Sequence, residues 1–320
     1  MEWFILLVIA LSALALVLFI TLLIIGNAVF NRVARRPDGD KIKDFKNLAN
    51  RTPDYYENLY KSMDKLKEKR FERVDITSKD GLNLAGFYFP SDKPSDKFVI
   101  CVHGFTSYGF RGFASFADFY NGIGVNMLLI DNRAHGESEG KYAGMGILER
   151  YDIVCWIDYL IGRFGEGIKV YLHSNSMGAA AVVMASGLDL PEQVKGIIAD
   201  APFTNFYDQM NHTIKAASGM SGALMVKLAS FIARRRAGYG FKDVDGAKEI
   251  KKAKVPFLFV HGDADYFVPH KWSEILYAAC PTQKDFFLVK DAGHSACYYI
   301  SPKEYENKIL WLLNLETALE

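Results

Sequence analysis

Apolar and polar positions along this chain fall into two regimes. The first is one uninterrupted apolar run from Trp3 to Ile25, 23 residues without a charge. Coiled as a helix it spans ~35 Å, enough to cross a bilayer. The second regime begins near residue 71. Phe71 to Thr77 and Leu82 to Phe89 alternate with period two around Lys79-Asp80-Gly81, which predicts an antiparallel hairpin. Continuous apolar runs then recur at Phe98–Val102, Val125–Ile130, Val170–Leu172, Gly196–Ala199, Phe257–Val260 and Phe286–Val289, as expected of strands buried on both faces. Helical patterns separate them, at Phe113–Tyr120, Ile147–Phe164, Met177–Ser186, Trp272–Ala279 and Tyr305–Leu315. The alternation predicts an α/β domain: a mostly parallel sheet with helices on both faces and the leading hairpin as its antiparallel edge.

This divides the chain into a transmembrane anchor (1–30), a juxtamembrane helical linker (31–70) and an α/β domain (71–320). A cleaved signal peptide competes with the anchor, but it calls for a positive start, a shorter apolar core and a small-x-small cleavage site. Here the start is Met1-Glu2 and the run leads into Gly26-Asn27-Ala28-Val29. The flank carries Arg32, Arg35, Arg36, Lys41, Lys43 and Lys46, which by the positive-inside rule puts the domain in the cytoplasm. In the linker, Tyr55, Tyr56, Leu59, Tyr60 and Met63 recur at helical spacing. One interval, about 203–254, separates two strands by some fifty residues and holds an apolar helix, Ala216–Ala233, ending in Arg234-Arg235-Arg236. It reads as a small helical cap over the carboxyl edge of the sheet, or as an ordinary crossover helix that is long.

Composition narrows the function. A formal charge of +1 and 50% hydrophobic residues supply a large core and no basic excess for nucleic acid. The four cysteines, Cys101, Cys155, Cys280 and Cys297, are scattered and read as free thiols in a reducing compartment. No metal-ligand spacing and no glycine-rich phosphate loop is present, so no cofactor is implied.

Candidate chemistry gathers where parallel sheets place it, at the carboxyl ends of strands. After the fifth run comes Ser174-Asn175-Ser176-Met177-Gly178, then the helix-forming Ala179 to Ala185. A serine at a sharp strand-to-helix turn with small neighbours two positions either side describes a nucleophile elbow, although the first flank is usually glycine and here is Ser174. The third run ends in His103-Gly104-Phe105-Thr106 and the fourth in Asp131-Asn132-Arg133-Ala134-His135-Gly136-Glu137-Ser138. Later come His261-Gly262-Asp263-Ala264-Asp265 and Asp291-Ala292-Gly293-His294-Ser295. With these five landmarks in order, residues 71 to 318 resemble the α/β-hydrolase-fold serine hydrolases, near the branch of monoacylglycerol lipases and serine aminopeptidases.

The resemblance implies a triad in the order serine, acid, histidine: Ser176, Asp265 and His294. Ser176 is a weak nucleophile until a base takes its proton, His294 is the base, and the acid holds the imidazole and its positive charge. Read from the residues alone, Asp263 and Asp200 compete with Asp265 for the third role. The tetrahedral oxyanion needs two donors, which the resemblance assigns to the backbone N–H groups of Phe105 and Met177. His103 and the Asp131–Ser138 stretch read as loop-shaping. The expected activity is hydrolysis of a carboxylic ester through an acyl-enzyme at a membrane, the substrate a small-molecule or lipid ester. Met210, Met220, Met225 and Phe231 in the cap suit a lipophilic acyl group. A peptidase or amidase, and a non-catalytic membrane scaffold of the same fold, are the alternatives.

Overall fold

A computed structural model describes residues 1–37 and 53–314. Residues 38–52, with Lys41, Lys43 and Lys46 of the orientation argument, and the helix end at Leu315 lie outside the described residues.

Eight strands form one sheet in the order β1-β2-β4-β3-β5-β6-β7-β8. They are β1 (Glu72–Thr77), β2 (Asn83–Phe89), β3 (Lys97–Val102), β4 (Asn126–Ile130), β5 (Lys169–Asn175), β6 (Val194–Asp200), β7 (Phe257–Gly262) and β8 (Lys284–Val289). The β1–β2 hairpin pairs antiparallel onto β4, and every other pairing is parallel. The apolar runs are the strands because both faces are covered. In β3, Ile100 and Val102 join one apolar cluster while Val99 and Cys101 join the other, the alternation a pleated strand imposes.

The helices are α1 (Glu2–Ala34), α2 (Pro53–Lys67), α3 (Gly109–Phe113), α4 (Ala117–Gly122), α5 (Glu149–Phe164), α6 (Met177–Ala185), α7 (Phe206–Ser218), α8 (Ala223–Ala237), α9 (Gly246–Glu249), α10 (Lys271–Ala279), α11 (Cys297–Ile300) and α12 (Pro302–Asn314). The helix expected over Phe113–Tyr120 is broken into α3, a 3₁₀ turn at Ala114–Phe116, and α4. The expected Ala216–Ala233 helix is two helices. Asn205 caps the first through the Asp208 N–H at 2.9 Å, and Gly219 ends it in the left-handed region at φ 74°. The chain restarts after Gly222 as α8.

The N-terminal helix departs from the expected boundary at residue 30. α1 continues unbroken through Ala34, and Phe30, Val33 and Ala34 are buried. They share an apolar cluster with Met145, Met177, Phe203, Phe206 and the Val226, Ala229 and Ala233 face of α8. Gly26 permits this docking. A Cβ there would lie 2.7 Å from the Leu228 Cβ and 3.3 Å from the Ile232 Cδ1, so the two backbones approach where only glycine fits. Arg236 Nη1 donates to Asn27 Oδ1 at 2.6 Å, and its guanidinium lies 5.2 Å from the Phe30 ring centroid. Beyond the helix, Ala143 N–H donates to the Ala34 carbonyl at 2.7 Å and Arg36 N–H to the Lys141 carbonyl at 3.1 Å. Upstream, α1 is exposed from Glu2 to Thr21 and is long and apolar enough to cross a membrane.

Candidate active site

The turn between β5 and α6 carries Ser176 at φ 54°, ψ −116°. A side-chain-bearing residue there is strained, and the surrounding packing holds it. On one flank, a Cβ at Gly178 would lie 2.1 Å from the Val102 carbonyl oxygen, so α6 crosses β3 at a distance only glycine allows. On the other flank Ser174 is fully buried, and its hydroxyl donates to the Ile198 carbonyl of β6 at 2.6 Å. Serine is therefore accommodated where glycine is usual, because the neighbouring strand satisfies the hydroxyl.

Two later loops converge on this turn. Asp263 N–H donates to the Val289 carbonyl and Ala264 N–H to the Ala292 carbonyl, both at 3.1 Å, which locks the loop after β7 to the loop after β8. His294 Nε2 then lies 2.8 Å from Ser176 Oγ, and His294 Nδ1 lies 2.7 Å from Asp265 Oδ2. An ionised carboxylate only accepts, so Nδ1 carries the proton and Nε2 accepts from the serine hydroxyl. Ser176, Asp265 and His294 are all buried.

The three carboxylates weighed for the acid role take distinct positions. Asp263 accepts the Asp291 N–H at 2.6 Å and ties the loop. Asp200 accepts the Tyr305 hydroxyl at 3.1 Å, at the end of a buried chain in which His173 bridges Tyr305 and Tyr120 at 3.0 and 2.8 Å. Asp265 is the one of the three with the hydrogen bond to His294 described above, through Oδ2. Its Oδ1 also accepts the N–H groups of Phe267 and Val268, at 3.1 and 2.8 Å. Burial alone would raise the Asp265 pKa. The imidazole charge of His294 and the hydrogen bonds of His261 and His294 outweigh it, leaving the carboxyl far below the usual range.

His261 has a place that the sequence did not suggest. Its Nε2 lies 2.8 Å from the Val268 carbonyl and 3.3 Å from Asp265 Oδ2, and its Nδ1 lies 2.7 Å from Ser273 Oγ. It braces the outer side of the carboxylate. His103 is loop-shaping as expected. Nδ1 donates to the Gly104 carbonyl at 2.7 Å and Nε2 accepts the Asn132 N–H at 3.0 Å, and burial lowers its pKa to about 4. Asp131 accepts the Gly109 and Glu137 N–H groups, and Arg133 spans Asp152 and Asp80. These are ties between loops.

The expected oxyanion donors flank Ser176. Met177 opens α6, where a first-turn N–H has no carbonyl partner within the helix. Phe105 follows Gly104, whose backbone lies against the Ser176 Cβ. Both residues line a cavity of about 360 Å³ over the serine. One wall is α7, through Phe206, Gln209, Met210 and Thr213. Another is α2 with the α11 region, through Tyr55, Leu59, Tyr298 and Tyr299. Val33 of α1 also lines it. Of the four residues expected to form an apolar cap lining, only Met210 does so. Met225 is partly buried outside the cavity, and Met220 and Phe231 face outward.

Residues 93–244 match the family model described as "Serine aminopeptidase, S33". An esterase of Pyrococcus furiosus, Pf2001, superposes with a TM-score of 0.63 over 83% of this chain and 94% of that one, at 23% identity.

The chain has the α/β-hydrolase fold.

Among curated relatives of this chain, the uncharacterized protein YqkD of Bacillus subtilis is 25% identical over 270 residues. That match covers 84% of this chain and 87% of YqkD. Protein bem46 of Schizosaccharomyces pombe is 20% identical over 220 residues, 68% of each chain. The solved acylaminoacyl peptidase of Pyrococcus horikoshii shares the fold too, with a TM-score of 0.54 at 15% identity, over 78% of this chain and 42% of that one. Both esterases and a peptidase thus carry this architecture.

Proposed function

We propose that this protein is a membrane-anchored serine hydrolase that cleaves carboxylic esters through an acyl-enzyme at Ser176. The observation that carries the reading is the hydrogen-bonded series Ser176–His294–Asp265, with both contacts under 3 Å, on a strained elbow that lines a cavity. In acylation His294 Nε2 takes the hydroxyl proton as Oγ attacks the carbonyl carbon. The N–H groups of Phe105 and Met177 receive the developing oxyanion, and the protonated imidazole passes its proton to the leaving alkoxide. Water activated by the same nitrogen then attacks the acyl carbon, and collapse of the second tetrahedral intermediate restores Ser176. Asp265 keeps the proton on Nδ1 throughout and balances the imidazolium charge.

The anchor is α1, whose exposed apolar length suits a single span, with residues 71–320 as the hydrolase domain and 203–254 supplying the cap. The Lys/Arg flank supports a cytoplasmic domain. A peptidase or amidase is the second reading, favoured by the description of the matching family model. The same three residues serve either bond, and the apolar wall of Phe206 and Met210 favours a lipophilic acyl group.

The test uses the full chain in detergent or nanodiscs. A fluorophosphonate probe is expected to label the parent and not Ser176→Ala. Hydrolysis of p-nitrophenyl butyrate and octanoate should fall by at least a thousandfold in that variant. Equal rates in both proteins would remove Ser176 from the mechanism. Cleavage of aminoacyl anilides without ester turnover would select the peptidase reading.

A further inference from the structure

The way α1 meets α8 fixes how deeply the cap sits. Gly26 faces Leu228 and Ile232, while Asn27 and Phe30 meet Arg236. Position rises together on both helices, so they run parallel. At a rise of 1.5 Å per residue, Leu224 lies about 6 Å before Leu228, level with about residue 22 of α1. That level is inside the apolar run that ends at Ile25. On α1 itself the first partly buried residues are Leu22 and Leu23, as expected if the cap begins to cover the helix there.

The tip between α7 and α8 has the surface such a depth demands. Met220 is 69% and Leu224 56% exposed, and Phe231 lies two turns along the same helix at 53%. These three outward apolar side chains lie beside an apolar helix, and the exposed Lys227 between Leu224 and Phe231 falls level with Ile25, where the apolar run ends. Farther along, Arg234 and Arg235 fall level with the region of Arg32 and Arg35, the height at which cations meet head groups. Beneath the tip, Phe206, Met210 and Thr213 lie at helical spacing along α7 and line the cavity. The cavity wall therefore climbs α7 from the serine toward the tip.

We propose that α1 and α8 act as one parallel pair that seats the α7–α8 tip in the hydrocarbon layer. The cavity then takes an ester dissolved in the bilayer by way of α7. The choice of substrate rests on the hydrolase reading above. The seating of the tip rests on the register of the two helices and on α1 spanning the membrane.

Two measurements on the full chain in phosphatidylcholine vesicles test this. Nitroxides attached to Met220→Cys and Leu224→Cys, in a Cys155→Ser background, should be accessible to dissolved oxygen and shielded from a water-soluble nickel chelate. A label at Asp189→Cys should show the reverse. Separately, the Met220→Asp, Leu224→Asp double variant should hydrolyse a monoacylglycerol embedded in the vesicles at least tenfold more slowly. Its rate on dissolved p-nitrophenyl butyrate should stay within twofold of the parent. Tip labels open to the chelate would overturn the seating. Spin–spin broadening between tip labels would put a second copy of the chain there and overturn it equally. Loss of both rates together, or of neither, would overturn the route along α7. Labels in lipid with no hydrolysis of either ester by the parent would uphold the seating and refute the hydrolase reading instead.

Discussion

Replacing Asp265 by asparagine changes one atom and tests the site at its most constrained point. Oδ1 of Asp265 accepts two backbone N–H groups, from Phe267 and Val268, at 3.1 and 2.8 Å. An amide NH₂ turned toward them would set donor against donor, so the asparagine oxygen stays there and the NH₂ faces His294. At 2.7 Å from Nδ1, that NH₂ needs an acceptor. The imidazole must move its proton to Nε2, where it points at Ser176 Oγ and can no longer receive the serine proton. The wrong tautomer and the lost carboxylate charge together cost about 10⁴-fold in kcat, or about 5.4 kcal/mol of barrier. The assay is kcat for p-nitrophenyl butyrate and the rate of fluorophosphonate labelling, beside a melting curve to show that the fold persists. Asp263→Asn should stay within tenfold of the parent, because its contact is a single Asp291 N–H that an amide oxygen can still accept. An Asp265→Asn enzyme retaining a tenth or more of the parent rate would refute the tautomer argument and reopen the choice of acid.

Three further outcomes follow from the packing. Ser174→Gly removes the hydroxyl bonded to Ile198 and loosens β5, and should cost about 1–2 kcal/mol of stability with little change in kcat, read by denaturant unfolding and ester kinetics. Gly26→Leu forces α1 away from Leu228 and Ile232, so α1 should become sensitive to proteolysis near Arg35 while the elbow stays intact to the probe. Burial lowers the pKa of His103 to about 4 and of His173 to about 3. Both are neutral when folded but titrate near 6.5 when unfolded. The stability they confer is thus complete above about pH 6.5 and is lost as pH falls toward 4, at about 1.4 kcal/mol per unit for each ring. Selectively labelled His103 and His173 should keep neutral-imidazole NMR shifts at pH 5, and a midpoint near 6.5 for either would contradict their burial.

The sheet and the three convergent residues were legible in the sequence for a physical reason. Strands covered on both faces leave uninterrupted apolar runs such as Phe98–Val102, and the elbow needs small residues at fixed offsets. Among the acids, the resemblance singled out Asp265, whereas the residues alone left Asp263 and Asp200 open, because the contact between the two loops is encoded by no local pattern. His261 was visible only as part of a His-Gly landmark, although its position four residues before Asp265 foreshadows their contact. The docking of α1 was hidden for the opposite reason. Gly26, Phe30, Val33 and Ala34 lie in or beside a segment apolar on every side, where a packing stripe leaves no periodic signal. The division of α7 from α8 lay in Gly219 and Gly222, whose breaking effect was outweighed by the Met- and Ala-rich residues around them.

An anchor joined to its domain by a loose tether would let the catalytic serine sweep a wide volume and act on targets at many heights. Here the last two turns of α1, the proposed anchor, are part of the domain's own packing, so such an anchor has no swivel. Once α1 sits in a bilayer, the protein keeps two kinds of freedom: lateral diffusion and rotation about the membrane normal. Its encounters become two-dimensional and confined to the leaflet beneath the tip. The proposed anchor would thus confine the proposed hydrolysis to molecules sharing its own membrane, with no reach to an ester displayed on an apposed one.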